Sequence, residues 1–423
     1  MTPTSITWRR AAKAAVAMLT MTVALLGASC TPGRIISVGA GTDFACVLHE
    51  GGDVRCWGRN DVGQLGRGTS DTLPHPEADR VALGERAVAL SVGRDHACAL
   101  TNDGVAFCWG DDRMAESGAE AAPESCSDLG LVTPCRTRPT RVAGDQRFRS
   151  IAAGFRQSCG ITIEHRVFCW GDVFATREER DTLLLDRCGP PGYEGWCRRH
   201  PAMIDVVAST QGKPHPASFD TLALGVFASC GIAQGYTFCW GHDRRVPWRD
   251  SSVAMPFGTG IRQISVGEEH ACGIGYDTVT VCWGSARHGA LGRTEVNTAP
   301  PRGYARRPWR PIDGNSRFVA LSVGDLHTCA IEAVTSRAFC WGANQFGQLG
   351  IGSVDRTVEQ AESAVHPQPM PVLGKLEFTQ VAAGLDHTCA LTDGGEVYCW
   401  GRALRGSLGA ERQSGAPVRV LGP

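Results

Sequence analysis

The residues with the most chemistry in this chain are its cysteines, 19 among 423 positions. Seven of them open the tripeptide Cys-Trp-Gly, at Cys56, Cys108, Cys169, Cys239, Cys282, Cys340 and Cys399, and a second cysteine precedes each, at Cys46, Cys98, Cys159, Cys230, Cys272, Cys329 and Cys389. Paired thiols can close a disulfide or hold a soft metal, and the two chemistries make different demands on their neighbours. Zinc is invited by His96, His270, His327 and His387, each two residues before a cysteine. Three repeats carry Phe44, Gln157 and Ala228 there instead, and two cysteines with one histidine do not close a tetrahedral shell. Disulfides account for the spacing better, because facing is kept while loop length varies. A three-residue loop at 102–104 sets Cys98 opposite Cys108, a two-residue Gln234-Gly235 turn does the same for Cys230 and Cys239, and Cys329 with Cys340 needs four residues. The expected bridges are Cys46–Cys56, Cys98–Cys108, Cys159–Cys169, Cys230–Cys239, Cys272–Cys282, Cys329–Cys340 and Cys389–Cys399, with Cys126–Cys135 and Cys188–Cys197 between repeats, leaving Cys30 alone. Such a set implies an oxidising compartment. No metal or cofactor is expected, and the His-x-Cys histidines are expected to bond backbone within their own repeat.

The elements that must position these thiols follow from the repeat. A glycine lies five residues before the first cysteine of every pair, at Gly41, Gly93, Gly154, Gly225, Gly267, Gly324 and Gly384, marking a corner that needs positive φ or close backbone approach. Within one unit Ala89 to Val92, Ala97 to Thr101 and Val105 to Trp109 have strand character around the turns Gly93-Arg94-Asp95 and Asn102-Asp103-Gly104. Stretches upstream of several units, such as Pro139 to Val142 and Pro369 to Leu373, supply a fourth strand. Four antiparallel strands repeated seven times predict an all-β, seven-bladed propeller over residues 35–423. The first unit lacks an upstream strand, so Ala416 to Leu421 is expected to join the first blade and close the ring. The 52 glycines and 7% aromatic content agree with short strands and tight turns.

Residues 1–29 have the form of a signal peptide, with Arg9, Arg10 and Lys13 ahead of an apolar run from Ala14 to Leu26 that is too short to anchor. Gly27-Ala28-Ser29-Cys30 resembles a bacterial lipobox, with Gly27 where that pattern prefers Leu. The expectation is lipidation at Cys30, a linker over residues 30–34, and an outer-membrane lipoprotein facing the periplasm or the cell surface. Ordinary cleavage nearby would instead give a soluble secreted protein. Losing Arg9, Arg10 and Lys13 from 42 basic residues leaves 39 against 43 acids, a balance of −4 that gives no global pull toward nucleic acid.

Units one and six carry a longer signature, Trp57-Gly58-Arg59-Asn60-Asp61-Val62-Gly63-Gln64-Leu65-Gly66 and Trp341-Gly342-Ala343-Asn344-Gln345-Phe346-Gly347-Gln348-Leu349-Gly350. Units five and seven keep Gly-x-Leu-Gly at 289–292 and 406–409, while units two to four have lost it. With the upstream glycine and seven copies, residues 34 to 423 resemble the RCC1 (regulator of chromosome condensation) repeat family, in an exported bacterial lipoprotein form. The resemblance implies a seven-bladed propeller and gives function only by analogy. The family's best-known activity is guanine-nucleotide exchange on the GTPase Ran, which export and cysteine pairing argue against here. A secreted β-lactamase inhibitor of similar build makes hydrolase inhibition the alternative to a scaffold.

The inserts at 111–142, 172–219, 242–262 and 285–317 all follow a Cys-Trp-Gly strand, so they crowd one face, the one carrying the Gly-x-x-His turns. Tyr193, Trp196, Trp248, Tyr304, Arg307, Trp309 and Arg310 lie there and have the composition of interface anchors, although they would serve equally to pack their own loops. No Ser-His-Asp, metal or glycine-loop constellation stands out. The expectation is a monomeric, non-enzymatic scaffold that binds a protein on this face and meets the membrane only through its lipid.

Overall fold

The computed structural model describes residues 33–422 apart from 121–122, 129–130, 173–184, 190–194, 204–206, 211–212, 217, 242–252, 255–256, 295–309, 315, 356–364 and 411. Seven antiparallel sheets are arranged as the blades of a propeller, and the described residues contain no α-helix. Blade one is typical: an inner strand Ile35–Ala40, then Phe44–His49, Val54–Asn60 and an outer strand Asp71–Arg80. Blades two and three each gain a fifth strand, because the chain turns back on itself before the outer strand. A small sheet of Val207–Thr210, Lys213–Pro216 and Val253–Ala254 is built from the inserts of blades three and four.

Two expectations about strand membership are corrected. The outer strand belongs to the unit before it: Leu131–Arg141 pairs with the Cys108 strand of blade two, so Pro139 to Val142 does not begin the next blade. By the same rule Ser414–Leu421 pairs with Val397–Gly401 in blade seven, not with blade one, which already has its four strands. The outer strand follows the Cys-Trp-Gly strand by a return loop, the shortest antiparallel route. The ring therefore closes by packing. Ile35, Val38, Ala45 and Trp57 of blade one share a core with Ala382, Leu391, Val397 and Leu408 of blade seven, and Val420 and Leu421 pack against it.

The glycine before each cysteine pair has no positive φ. It is required by close approach: a Cβ on Gly41, Gly93, Gly225, Gly267, Gly324 or Gly384 would lie within 3.0 Å of the carbonyl oxygen of the corresponding glycine in the next blade. The run from Gly384 to Gly41 completes the circle. Positive φ belongs instead to the Trp-Gly glycine of six blades, with values from 95° at Gly171 to 108° at Gly342 and Gly401. Facing cysteines at 4.1 Å between Cα atoms cross-link the second and third strands of each blade, near the spacing of a non-hydrogen-bonded pair.

Blades are clasped to one another through the tryptophans. The indole N–H of Trp109 donates to Gln64 O at 2.9 Å, Trp170 to Glu116 O at 2.8 Å, Trp341 to Ala290 O at 3.0 Å, Trp400 to Gln348 O at 2.9 Å and Trp57 to Ser407 O at 3.0 Å. Each carbonyl lies in the loop leaving the preceding blade. The rings are buried, and truncating one to alanine is expected to cost roughly 3–5 kcal/mol. The histidines complete the clasp and do not bond backbone in their own blade as expected from the sequence. Nε2 of His96, His270 and His327 meets the hydroxyl of Ser158, Thr328 and Thr388 in the next blade, each at 2.8 Å. The Ser158 and Thr388 hydroxyls donate onward to Glu116 O and Gln348 O, so Nε2 carries the histidine proton. Ser229 bonds Gln157 at 3.1 Å in the same place, and where the histidine is replaced by Phe44 or Ala228 the facing residue is Ala97 or Ala271, in a shared apolar cluster. Polar faces polar and apolar faces apolar around the ring, with one exception. His387 meets Ala45; it faces the Phe44 backbone, and neither ring nitrogen completes a hydrogen bond.

The lost signature of unit two is still present in three dimensions. Leu65 N–H donates to Asn60 Oδ1 and Leu349 N–H to Asn344 Oδ1, both at 3.2 Å, and Ser117 N–H donates to Asp112 Oδ1 at 2.9 Å. Val62 N–H bonds Gln64 Oε1 at 3.0 Å and Met114 N–H bonds Glu116 Oε2 at 2.7 Å. Ala115, with φ 65°, stands where Gly63 has φ 78°. Glu116 thus occupies a glutamine's position, wholly buried beside Asp111 and Asp112, and burial with these neighbours raises its carboxyl well above the usual range.

Two variants test this account. Ala45→Ser supplies the hydroxyl that His387 lacks and should raise unfolding stability by about 1 kcal/mol, read as a higher denaturant midpoint at unchanged slope; an unaltered midpoint would mean the site is already satisfied. Glu116→Gln removes a group whose folded pKa exceeds its unfolded value, so its benefit should be absent below the unfolded pKa of about 4.5 and grow by at most about 1.4 kcal/mol per pH unit above it. Parallel stability curves for the two proteins from acid to neutral pH would refute the buried-acid assignment.

Candidate functional site

The face carrying the Gly-x-x-His turns is built from three sets of residues. The first is the turns themselves. The residue after each Cys-Trp-Gly hydrogen-bonds back to them: Arg59 N–H to Asp43 O, Asp111 N–H to Asp95 O and Arg402 N–H to Asp386 O, at 2.8 to 2.9 Å. The connections that bear the inserts therefore leave from this face.

The second set surrounds the axis. The inner strand ends enclose a cavity of about 90 Å³, walled by the glycine ring and bordered by Arg94, Phe155, Val226, Asp325 and Leu385. Arg94 of blade two reaches Asp325 of blade six at 3.5 Å, and the guanidinium groups of Arg94 and Arg156 each lie 4.7 Å from the centre of the Phe155 ring. Burial pushes the Asp325 carboxyl up to about 7, against the pull of Arg94. Asp43, Asp95 and Asp386 occupy one repeat position on blades one, two and seven. Burial raises all three, Asp43 to about 6. Arg59 binds Asp95 at 3.0 Å and Asp61 at 2.7 Å, while Arg402 binds Asp386 at 3.1 Å.

The third set is a pair of stapled hairpins. In blade two, Glu124–Asp128 pairs with Leu131–Arg141 and is tied by Cys126–Cys135, with Cα atoms 5.8 Å apart. Asp111, the last residue of the third strand, is opposite Cys135, so residues 124–135 extend past the end of that strand on the insert side. Leu131 and Val132 near the tip are 63% and 71% exposed, so their burial by a partner would remove apolar area from water. In blade three, Asp186–Cys188 pairs with Gly195–Met203 through Cys188–Cys197. Each staple rests on the signature loop of the blade before: Cys126 and Cys135 on Val62, Cys188 and Cys197 on Met114 and Ala115. Arg136 pins the first hairpin further through Asp112 at 2.9 Å, both side chains being buried.

Of the anchors named from sequence, Trp196 is half-buried in the second hairpin, with the Arg187 guanidinium 4.8 Å above its ring. It packs its own loop. Arg310 is exposed on the outer strand of blade five, opposite Cys282. Tyr193, Trp248, Tyr304, Arg307 and Trp309 lie outside the described residues, as does Cys30. Sequence reasoning missed Leu131 and Val132, which look unremarkable inside an insert, and missed the acidic arc, whose signal was Gly-x-Asp recurring at Asp43, Asp95 and Asp386. Among the described residues no group of three or more His, Cys, Asp or Glu side chains is placed to hold a metal.

Comparison with known proteins agrees with the architecture. Profiles described as "Regulator of chromosome condensation (RCC1) repeat" match residues 51–100 and 336–391 in one version and 35–64, 87–114, 318–348 and 378–406 in another. The chain is 26% identical over 393 residues to the ultraviolet-B receptor UVR8 of Arabidopsis thaliana, covering 89% of this chain and 79% of that protein. It is 23% identical over 397 residues to the regulator of chromosome condensation of Xenopus laevis, covering 92% and 76%. Among solved structures, yeast RCC1 (Prp20) bound to Kap60 superposes with a TM-score of 0.67 at 19% identity, covering 88% of this chain and 84% of that one, and human WBSCR16 with 0.64 at 20%, covering 85% and 87%. Blades one, two, six and seven are thus matched by RCC1 repeat profiles, and the ring that the remaining blades complete is similar in fold to those of the RCC1 structures.

Proposed function

We propose that this chain is an exported, lipid-anchored scaffold that captures another protein on the insert-bearing face and catalyses no reaction. The observation that carries the reading is the pair of disulfide-stapled hairpins standing on that face, the first presenting Leu131 and Val132 to solvent. Exposed aliphatics on a rigid, cross-linked support bind with little loss of conformational entropy, which is what an interface anchor requires. Nine cysteine pairs at bonding distance support an oxidising compartment, since cytosolic thiols are kept reduced. The unpaired Cys30, following Gly27-Ala28-Ser29, supports lipidation and residence in the cell envelope.

Affinity capture from envelope extract tests the face. Leu131→Ser with Val132→Ser should reduce recovery of the bound protein roughly tenfold or more, as for loss of a central anchor, with unfolding unchanged. Equal recovery by parent and variant removes the hairpin from the interface. For the anchor, Cys30→Ala should abolish labelling by a clickable palmitate and move the protein from the membrane to the soluble fraction, whereas continued membrane residence of the variant would eliminate the lipid.

A further inference from the structure

We propose that the face opposite the inserts lies on the bilayer that holds the Cys30 lipid, so that the stapled hairpins point away from the membrane. The proposal rests on the lipid-anchor reading. Turns joining the second and third strands of each blade form that opposite face, and the described chain enters the propeller among them. Nδ1 of His49, at the end of the second strand of blade one, donates to Gly33 O at 2.6 Å. Glu50 N–H donates to Arg34 O at 2.8 Å, and Arg34 reaches Asp393 in the corresponding turn of blade seven at 3.1 Å. Gly33 is the third residue after Cys30, a reach of at most about 11 Å. The six-residue strands of a blade hold its two faces about 20 Å apart. A lipid on Cys30 therefore brings the turn face to the membrane and leaves the insert-bearing face out of reach.

The turn face is apolar where the tether joins it. Every inner strand has a bulge at its turn-face end, and the bulged positions make a ring around the axis. In blades three to five this ring holds Arg149, Asp220 and Arg262, and the two arginines lie along the surface, bonding Asp220 O and Val319 O at 3.0 Å. In blades six, seven, one and two it holds Val319, Thr379, Ile36 and Val88, all uncharged and exposed. The tether leaves between blades seven and one, at the middle of that arc. Val334 and Tyr276, in the turns of blades six and five, extend it at 87% and 71% exposure, and a tyrosine ring with its hydroxyl suits the headgroup boundary. Charge does not draw this face to lipid, because Arg34, Arg80 and Arg419 are paired with Asp393, Asp53 and Glu396. Contact is made by apolar side chains entering the headgroup layer. The tether makes this second contact intramolecular, so a modest arc is sufficient. A protein covering the same arc would have to enter a gap no wider than the tether.

Photo-crosslinking of the full-length acylated protein in phosphatidylcholine vesicles tests the orientation. Benzoylphenylalanine is placed singly at Val319 and Val334 on the turn face, at Leu131 on the insert face, and at Leu73, exposed on the outer strand of blade one. Lipid adducts should form at Val319 and Val334, with about tenfold fewer at Leu131 and Leu73, and raising the salt concentration should leave the yields unchanged. Equal yields at Leu131 and Val334 would overturn the orientation, and so would a larger yield at Leu73, which would turn the propeller onto its rim. Adducts lost in high salt would overturn the apolar contact. Protein adducts in place of lipid adducts at Val334 in intact envelope would give the face to a protein and overturn the proposal. The mass of the N-terminal peptide reads the acyl group in the same sample. A chain without that group refutes the anchor and the proposal with it, whereas an acylated chain with its adducts at Leu131 refutes the orientation alone.

Discussion

Seven backbones meet around one axis, and the distance between them decides most of what the rest of the chain can do. At the corner before each cysteine pair the glycine Cα of one blade lies so near the carbonyl of the next that six of the seven corners have no room for a β-carbon against that oxygen, and Gly154 has none against Leu224. That contact fixes how far each inner strand leans toward the centre, and hence the size of the axial cavity. It also fixes the crest of the following turn, where Asp43, Asp95 and Asp386 sit. A methyl group at one of these corners would push a blade outward and misplace its clasp to both neighbours.

The clasp itself is a small set of directional bonds laid over apolar packing. Between blades two and three and between blades six and seven, loop carbonyl, indole N–H, hydroxyl and imidazole form one chain across the junction, so a substitution at one member leaves a buried group unpaired in the adjacent blade. The matching of His96 with Ser158, Gln157 with Ser229 and Phe44 with Ala97 shows that the two positions act as a pair. The seam between blades seven and one departs from the pattern at His387 and Ala45. It is compensated by Arg405 reaching Asp61 at 2.7 Å and by the Trp57 bond to Ser407. Closure without a shared sheet thus uses side chains together with backbone bonds across the seam, His75 N–H to Arg405 O at 3.1 Å and Leu385 N–H to Gly41 O at 3.4 Å.

On this frame the inserts are elaborations of a regular contact. Outer strands elsewhere touch the signature loop of the preceding blade, as Gly347 touches Gly415 and Gly406 touches Pro76. In blades two and three the outer strand is preceded by a stapled hairpin, and the staple lands on the same loop. The staples are consequently seated on the signature loops, Cys126–Cys135 on Val62 and Cys188–Cys197 on Met114 and Ala115. A recognition surface is best placed on such a support, because little order remains to be imposed on binding.

The sequence determined what depends on short spacing. Facing across a hairpin is a local property, so loop lengths of two, three and four residues placed Cys230, Cys98 and Cys329 opposite their partners, and repetition gave the number of blades. An invariant spacing likewise marked the axial glycines, although only the assembled ring showed that crowding and not positive φ requires them. What the tertiary structure decided was everything that pairs one blade with another. An outer strand reads the same whether it ends one unit or begins the next, which is why Ala416 to Leu421 reads as a strand of the first blade although it pairs in blade seven. His96 finds its partner 62 residues away, and Asp112, Met114 and Glu116 keep a loop geometry that their residue types conceal. Packing between repeats is set by distances that separation along the chain does not encode, and both the apolar hairpin tip and the acidic mouth exist only once those distances are fixed.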